Sequence, residues 1–233
     1  MESWVVGFDG DQDVERHSGA DTSAGADPPI RVRVVSDYIC PWCYIGLIRV
    51  ERLRQEFAIE LDVCAYELRP GLPPEGMGRA EAYAGRRYPP QYIENLILLA
   101  RQSGIDMKLP SHVPNTQKAH EATEFARDRG RLVTFHHAVF RAYWEEEQDI
   151  GSVDVLCQLA AGCGLPPNEL RRTLSEGHYA ARVRQQMEWS RTAGAKGVPT
   201  IIFNDRFTVV GAQDYAVFRD VASRIASGRL QTK

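Results

Sequence analysis

Two cysteines separated by two residues lie where an extended segment gives way to a helix. Residues 30–35 alternate in polarity and predict a β-strand, whereas apolar residues at positions 47, 50, 53 and 57 recur at helical spacing. The sequence Cys40-Pro41-Trp42-Cys43 stands between these two segments. This arrangement predicts an α/β layer with a pair of thiols at the start of a helix.

The position of each cysteine suggests redox chemistry. Cys40 falls at or beside the helix N-cap, where unpaired N–H groups and the positive end of the helix dipole stabilise a thiolate. Pro41 suits the first helical position, because the N–H that it lacks has no intrahelical partner there. Cys43 follows one turn later and can attack a mixed disulfide held on Cys40.

A zinc site is the main alternative for a CxxC pair. Zinc needs four ligands, usually with a second close pair of Cys or His. The remaining cysteines (Cys64, Cys157 and Cys163) form no second CxxC. The adjacent His136 and His137 would point about 100° apart on a helix. The sequence therefore favours a redox pair, and we expect no metal.

Composition narrows the class of protein and its partners. A chain of 233 residues with 43% hydrophobic and 25% charged residues is typical of a soluble globular protein. The net charge of −3 gives no basic footprint for nucleic acid, and no apolar run approaches the length of a membrane span.

Residues 1–29 are rich in Gly, Asp, Ser and Ala without a signal-peptide pattern, so we expect a disordered or loosely ordered extension. Five cysteines, an odd number, predict a cytoplasmic setting rather than a disulfide framework.

Strand patterns bracket a long helical segment. A second strand is predicted over residues 59–66, and two more over 198–203 and 207–210, joined by a turn at Asn204-Asp205. Residues 214–225 predict a closing helix. The signals between about 70 and 180 are helical. We therefore predict one α/β domain from residues 30–69 and 181–230, interrupted by an α-helical insertion over residues 70–180.

These ordered motifs resemble the DsbA-like family of thioredoxin-fold proteins, in particular its FrnE-type branch. That branch also includes 2-hydroxychromene-2-carboxylate isomerases and kappa-class glutathione transferases. The resemblance covers roughly residues 31–228. The residues that carry it are Ser36-Asp37-Tyr38-Ile39-Cys40-Pro41-Trp42-Cys43-Tyr44-Ile45-Gly46, Glu67-Leu68-Arg69-Pro70, Pro114-Asn115-Thr116 with Ala119-His120, Gly197-Val198-Pro199-Thr200 and Gly211-Ala212-Gln213.

The resemblance implies roles at the matching positions. Cys40 would be the attacking cysteine and Cys43 the resolving one. Pro199 would be the cis-proline of a thioredoxin fold, and the backbone of Val198 would then face Cys40 and pair with an extended substrate. From the residues alone, Pro199 could equally be a proline at the start of a strand.

Further residues are candidates for substrate binding, each with a structural alternative. Trp42 could offer an aromatic surface beside the thiols. Asn115 and Thr116 could contact substrate in a cleft beside the insertion, or they could cap a helix. Gln213 and Asp214 could hold a polar ligand group at the start of the last helix, or cap that helix.

The function that these observations predict is thiol–disulfide exchange with protein or small-molecule thiols. No cofactor is expected beyond the redox-active cysteines, with glutathione a conceivable co-substrate. The glutathione-dependent relatives generally carry serine at the first-cysteine position, whereas this chain has both cysteines. Two alternatives stay open: a glutathione-dependent isomerase or transferase, and a non-catalytic peptide-binding or chaperone-like module.

Overall fold

The computed structural model describes residues 6–7, 28–86, 88–192, 195 and 197–230. The strands in this part of the chain are β1 (Val6–Gly7), β2 (Ile30–Ser36), β3 (Ile59–Ala65), β4 (Met77–Gly78), β5 (His112–Val113), β6 (Thr200–Phe203) and β7 (Phe207–Val210). The helices are α1 (Pro41–Leu53), α2 (Arg79–Ala82), α3 (Pro90–Gln102), α4 (Gln117–Arg127), α5 (Leu132–Trp144), α6 (Val153–Gly162), α7 (Pro167–Glu176), α8 (Ala180–Thr192) and α9 (Tyr215–Ala226).

A five-stranded mixed sheet in the order β1-β7-β6-β2-β3 organises the molecule. Strands β2 and β3 are parallel and are connected through α1, while β6 pairs antiparallel with β2 and β7. In this register Val34 lies between Val63 and Ile201. A parallel connection needs a crossover helix, and α1 provides it.

Helix α1 belongs to two apolar clusters, and this explains where the thiols lie. Its last turns carry Val50 and Leu53, which pack with the sheet and with Phe218 of α9. Its first turns carry Cys43 and Tyr44, which pack with the helices between β3 and β6. The cysteine pair therefore sits where the sheet domain meets the helical segment.

The edge of the sheet at β3 is closed by side chains. Arg127 donates to Val63 O at 2.5 Å, and Gln186 Oε1 accepts from Ala65 N at 3.0 Å. Ser190 Oγ donates to Ala65 O at 3.2 Å. These contacts occupy backbone groups that an added strand would need, which protects this edge from strand pairing.

The predicted fold class, α/β with a large helical insertion, is confirmed, and two details differ. The segment predicted as wholly helical also contains β4 and β5, which pair antiparallel, because two-residue strands leave no alternating pattern. Helix α1 ends at Leu53, so Phe57 packs from the following turn, where its N–H donates to Leu53 O at 2.8 Å.

Most of the predicted N-terminal extension lies outside the described residues. Within residues 1–29 the structure describes Val6–Gly7, which pair with β7, and residues 28–29. None of the described helices has the length and apolar character to cross a membrane.

Candidate active site

Cys40 is the N-cap residue of α1, with extended backbone angles (φ −93°, ψ 112°), and Pro41 occupies the first turn. The Cys40 side chain caps no helical N–H, so its sulfur is available for other contacts. Sγ lies 3.6 Å from Val198 O, and the Val198–Pro199 peptide bond is cis, as the resemblance implied. The structure thus brings together Cys40 and Val198, which are far apart in sequence.

Helix α1 also contacts the loop that faces Cys40 and the loop after β7 that lies next to it. Gly46 packs directly on Pro199, and a Cβ at this glycine would lie 3.1 Å from Pro199 Cγ. Arg49 donates to Ala212 O at 2.7 Å and to Gln213 O at 2.5 Å. Because one helix fixes both the thiol and the opposing loop, their relative position depends on the packing of α1.

The two thiols occupy different environments. Cys40 is 4% exposed, whereas Cys43 is 0% exposed. Burial, then the neighbouring Cys40 and the charge of Asp37, raise the pKa of the Cys43 thiol well above its ordinary value. Both cysteines are free thiols in the structure. Burial therefore favours the protonated form of Cys43, and Cys40 differs from it in lying at the N-terminus of α1.

A buried acid–base pair lies next to Cys43. Asp37 is fully buried, and its Oδ2 accepts from Leu68 N at 2.7 Å. Its Oδ1 has no hydrogen-bond partner among the described residues and lies 3.6 Å from His120 Nε2. His120 Nε2 also lies 3.2 Å from Tyr66 O. A buried carboxylate is costly without full pairing, so the contacts of Asp37 offset the cost of its burial only in part.

The predicted substrate-binding residues divide by location. Trp42, between the thiols, is half-buried, and its Nε1 donates to Tyr92 OH at 2.9 Å. Gln213 lies in the loop held by Arg49, and its Nε2 donates to Val210 O at 2.9 Å. Asp214 is the N-cap residue of α9. Trp42 and the Val198 backbone thus adjoin Cys40, while Gln213 and Asp214 belong to the loop next to Pro199.

Asn115 and Thr116 lie at the start of α4 and have local partners. Asn115 Oδ1 accepts from Gln117 N at 3.0 Å, and its Nδ2 donates to Leu72 O at 2.8 Å. Thr116 is the N-cap residue by backbone geometry and is buried. These contacts match the capping alternative, and a substrate contact at either residue stays a prediction.

The other cysteines lie apart from this pair. Cys64 is buried against Ser190, with Sγ 3.3 Å from Ser190 Oγ, and burial raises the pKa of its thiol to about 11. Cys157 Sγ donates to Pro167 O at 3.4 Å, and Cys163 is half-buried. Within the described ranges, no three His, Cys, Asp or Glu side chains are grouped as metal ligands.

Asp37, Gly46 and His120 lie in the motifs that carry the resemblance, but the sequence predicts no role at the site for Asp37 or Gly46 and gives no sign of Arg49. An acidic residue in an otherwise apolar strand-to-helix turn was a usable signal for Asp37. Arg49 lies one turn after Gly46 on α1, but its acceptors are backbone carbonyls more than 160 positions away. No local pattern could have identified that contact.

Known proteins resemble this chain in sequence and in architecture. The chain is 27% identical over 197 residues to the uncharacterized protein YwbO of Bacillus subtilis (strain 168), covering 83% of this chain and 96% of YwbO. A crystal structure of a probable DsbA oxidoreductase from Streptomyces coelicolor superposes with a TM-score of 0.79 at 27% identity, covering 88% of this chain and 92% of that one. A 2-hydroxychromene-2-carboxylate isomerase structure shares the fold, with a TM-score of 0.69 at 17% identity and coverage of 87% and 100%.

The family assignment rests on most of the chain. Residues 31–222 match the family described as DSBA-like thioredoxin domain. This span runs from β2 to α9 and contains both cysteines, the cis-proline and the intervening helices. The chain therefore belongs to the DsbA-like thioredoxin domain family.

Proposed function

We propose that this protein is a thiol–disulfide oxidoreductase that exchanges disulfides with protein or small-molecule thiols through Cys40 and Cys43. The observation that carries the proposal is the asymmetry of the pair. Cys40 is the N-cap residue of α1, and its Sγ lies 3.6 Å from Val198 O, while burial and the neighbouring Cys40 raise the pKa of the Cys43 thiol. In this proposal the Cys40 sulfur attacks the substrate disulfide, and the Cys43 sulfur later resolves the mixed disulfide.

Reduction of a substrate disulfide takes two displacements. The Cys40 thiolate attacks one substrate sulfur, and the other substrate sulfur leaves with the electron pair and takes up a proton. Cys43 then loses its proton and attacks Cys40 Sγ, which releases the second substrate sulfur as a thiol. Two electrons and two protons pass to the substrate, and the protein becomes the Cys40–Cys43 disulfide. The reverse sequence oxidises a dithiol.

Asp37 is the group to which we assign the Cys43 proton. Burial and the neighbouring Cys40 raise the pKa of the Cys43 thiol most, and the negative charge of Asp37 adds to them because it opposes a second anion beside it. Transfer of the proton to Asp37 removes this like charge at the moment when Cys43 must become a thiolate. Leu68 N, which donates to Asp37 Oδ2 at 2.7 Å, orients the carboxyl group, and Oδ1 has no hydrogen-bond partner among the described residues.

The strongest competing function is a glutathione-dependent isomerase or transferase. The fold shared with the 2-hydroxychromene-2-carboxylate isomerase supports that alternative. The placement of Cys43 one turn below Cys40 opposes it, because a resolving thiol would expel glutathione bound on Cys40 as oxidised product. In our proposal glutathione, if used, is a consumed co-substrate, and the protein acts in the cytoplasm.

Catalysed reduction of insulin disulfides by dithiothreitol tests the proposal. We expect the native protein at substoichiometric amounts to accelerate insulin precipitation, and Cys40→Ser to abolish the acceleration. Cys157→Ser is a matched control, since this cysteine lies in α6 away from the pair, and should keep the native rate. Glutathione binding without consumption would support the isomerase, and no acceleration beyond stoichiometry would indicate a binding module.

A further inference from the structure

Arg49 is a mostly buried cation that is held by backbone oxygens rather than by a close carboxylate. It lies one turn beyond Gly46 on α1, and its side chain is 12% exposed. Nη1 carries two N–H groups and donates to Ala212 O at 2.7 Å and to Gln213 O at 2.5 Å, both in the loop after β7. Its salt bridge is long, with Nη2 3.9 Å from Asp214 Oδ1 on a side chain that is 88% exposed. Exposed ion pairs contribute little, so the two carbonyls are the main partners of this guanidinium.

A buried charge is a costly way to fill this position. Burial lowers the pKa of Arg49 from its ordinary value, and the charge of Asp214 opposes that shift only in part. Apolar residues of similar volume often replace buried charges without loss of stability. A methionine here would avoid the cost of burying the charge, but it could donate to neither carbonyl. The two hydrogen bonds are therefore what arginine adds at this position.

The loop that Arg49 binds is itself bonded to the residue next to Val198. Gly211 N donates to Pro199 O at 2.8 Å, and Gly211 has a φ of 84°, which favours glycine. Val198 O in turn lies 3.6 Å from Cys40 Sγ. A chain of hydrogen bonds therefore runs from the middle of α1, through the loop after β7, to the backbone that faces the thiol at the start of the same helix.

We propose that Arg49 is a positioning residue, which holds the Val198 backbone where a substrate disulfide docks beside Cys40. This inference rests on the proposed function and assigns Arg49 to its first displacement. The second displacement joins Cys43 and Cys40, which lie on one helix, so its geometry does not depend on the loop. A small alkylating reagent reaches Cys40 without docking on the Val198 backbone. Loss of the two hydrogen bonds should therefore slow disulfide exchange and spare both alkylation and resolution.

Two unbranched replacements separate hydrogen bonding from packing. Arg49→Met fills the site without a donor, whereas Arg49→Lys keeps a cation with three N–H donors. The kcat/KM for insulin is measured from initial rates with dithiothreitol as the reductant, and the rate of Cys40 alkylation by iodoacetamide is measured on the reduced protein. Acid quench during turnover gives the fraction of mixed disulfide, and urea unfolding gives the stability of each variant.

The expected result is a selective loss of exchange. Arg49→Met should lower kcat/KM for insulin about tenfold, since a displaced docking group weakens orientation of the reacting sulfurs. Cys40 alkylation should keep the native rate, and mixed disulfide should not accumulate, because only the first displacement is slowed. Arg49→Lys should recover part of the lost kcat/KM. If Arg49→Met does not fold, Arg49→Gln takes its place with the same expected result.

Arg129→Met is the matched control. Arg129 also donates to a backbone carbonyl, Phe125 O at 3.2 Å, and it pairs with Glu169 of α7. It joins the end of α4 to α7 and has no contact with the loop after β7 or with the cysteine pair. This variant should keep the native kcat/KM and alkylation rate, whatever the change in its urea midpoint.

A native kcat/KM in Arg49→Met would overturn the inference. A parallel fall in exchange and in Cys40 alkylation would do the same, because Arg49 would then act on the thiol or on the whole fold. Equal losses in Arg49→Met and Arg49→Lys would leave no role for the donated hydrogen bonds. Failure of the native protein to accelerate insulin reduction would instead refute the proposed function, and it would be seen before any variant is made.

Discussion

Replacement of Gly46 by alanine probes the contact that joins the thiol helix to the loop opposite it. The added methyl would lie 3.1 Å from Pro199 Cγ and 3.5 Å from Pro199 Cβ. Carbon atoms in favourable contact lie about 3.5–4.0 Å apart, so α1 or the Pro199 loop must move by several tenths of an ångström. The loop is itself held, because Gly211 N donates to Pro199 O at 2.8 Å.

Two opposing effects decide the free energy of unfolding of Gly46→Ala. Alanine in a helix is favoured over glycine by about 1 kcal/mol. Overpacking a filled core site costs about 1–3 kcal/mol. Since Pro199 is buried and the nearest atoms belong to a ring rather than a flexible chain, we expect overpacking to win. The predicted net change is a loss of about 1 kcal/mol.

Gly162→Ala is the matched control, because Gly162 ends α6 and a Cβ there meets no atom within 4 Å. This variant should gain up to about 1 kcal/mol in urea unfolding. Gly46→Ala should also lose roughly tenfold in disulfide-reduction rate, because Val198 O shifts relative to Cys40 Sγ, whereas Gly162→Ala should retain the native rate. If both variants gain stability and keep their activity, then Pro199 does not bear on α1 as we describe.

Other predictions address single groups. At pH 8 about one Cys64 thiol in a thousand is ionised, given its pKa of about 11, so iodoacetamide should label it far more slowly than Cys40; equal labelling by mass spectrometry would contradict its burial. Burial lowers the pKa of His136 to about 3 from 6.5, so the unfolded chain binds more protons between these values. The free energy of unfolding should therefore have its full value above pH 6.5 and fall as the pH drops toward 3. His136→Leu should reduce this pH dependence of the urea midpoint, and an unchanged slope would refute the prediction. Asp37→Asn should slow the second displacement about tenfold or more, seen as accumulation of mixed disulfide after acid quench, and native resolution kinetics would remove Asp37 as proton acceptor.

The periodic elements could be predicted from the sequence, and the contacts between them could not. Strand β2, helix α1 and the β6–β7 hairpin carry repeating apolar patterns, and the hairpin turn has Asn204 and Asp205 at positive φ, where such residues are favoured. The cysteine pair was predicted because its chemistry depends on a local helix terminus. The contacts of Arg49, and that of Trp42 with Tyr92 across 50 positions, depend instead on packing between distant segments. Asp37 is an intermediate case. Its place in the turn before α1 could be read from the sequence, whereas its burial depends on tertiary contacts.

The central claim is that Cys40 attacks and Cys43 resolves. Mass spectrometry of the Cys43→Ser variant after reaction with a disulfide-containing protein tests it most directly. We predict a stable mixed disulfide mapped to Cys40, and no trapped complex with Cys40→Ser or with the native protein, whose Cys43 releases the product. A complex mapped to Cys64, Cys157 or Cys163, or equal trapping by Cys40→Ser, would contradict the account.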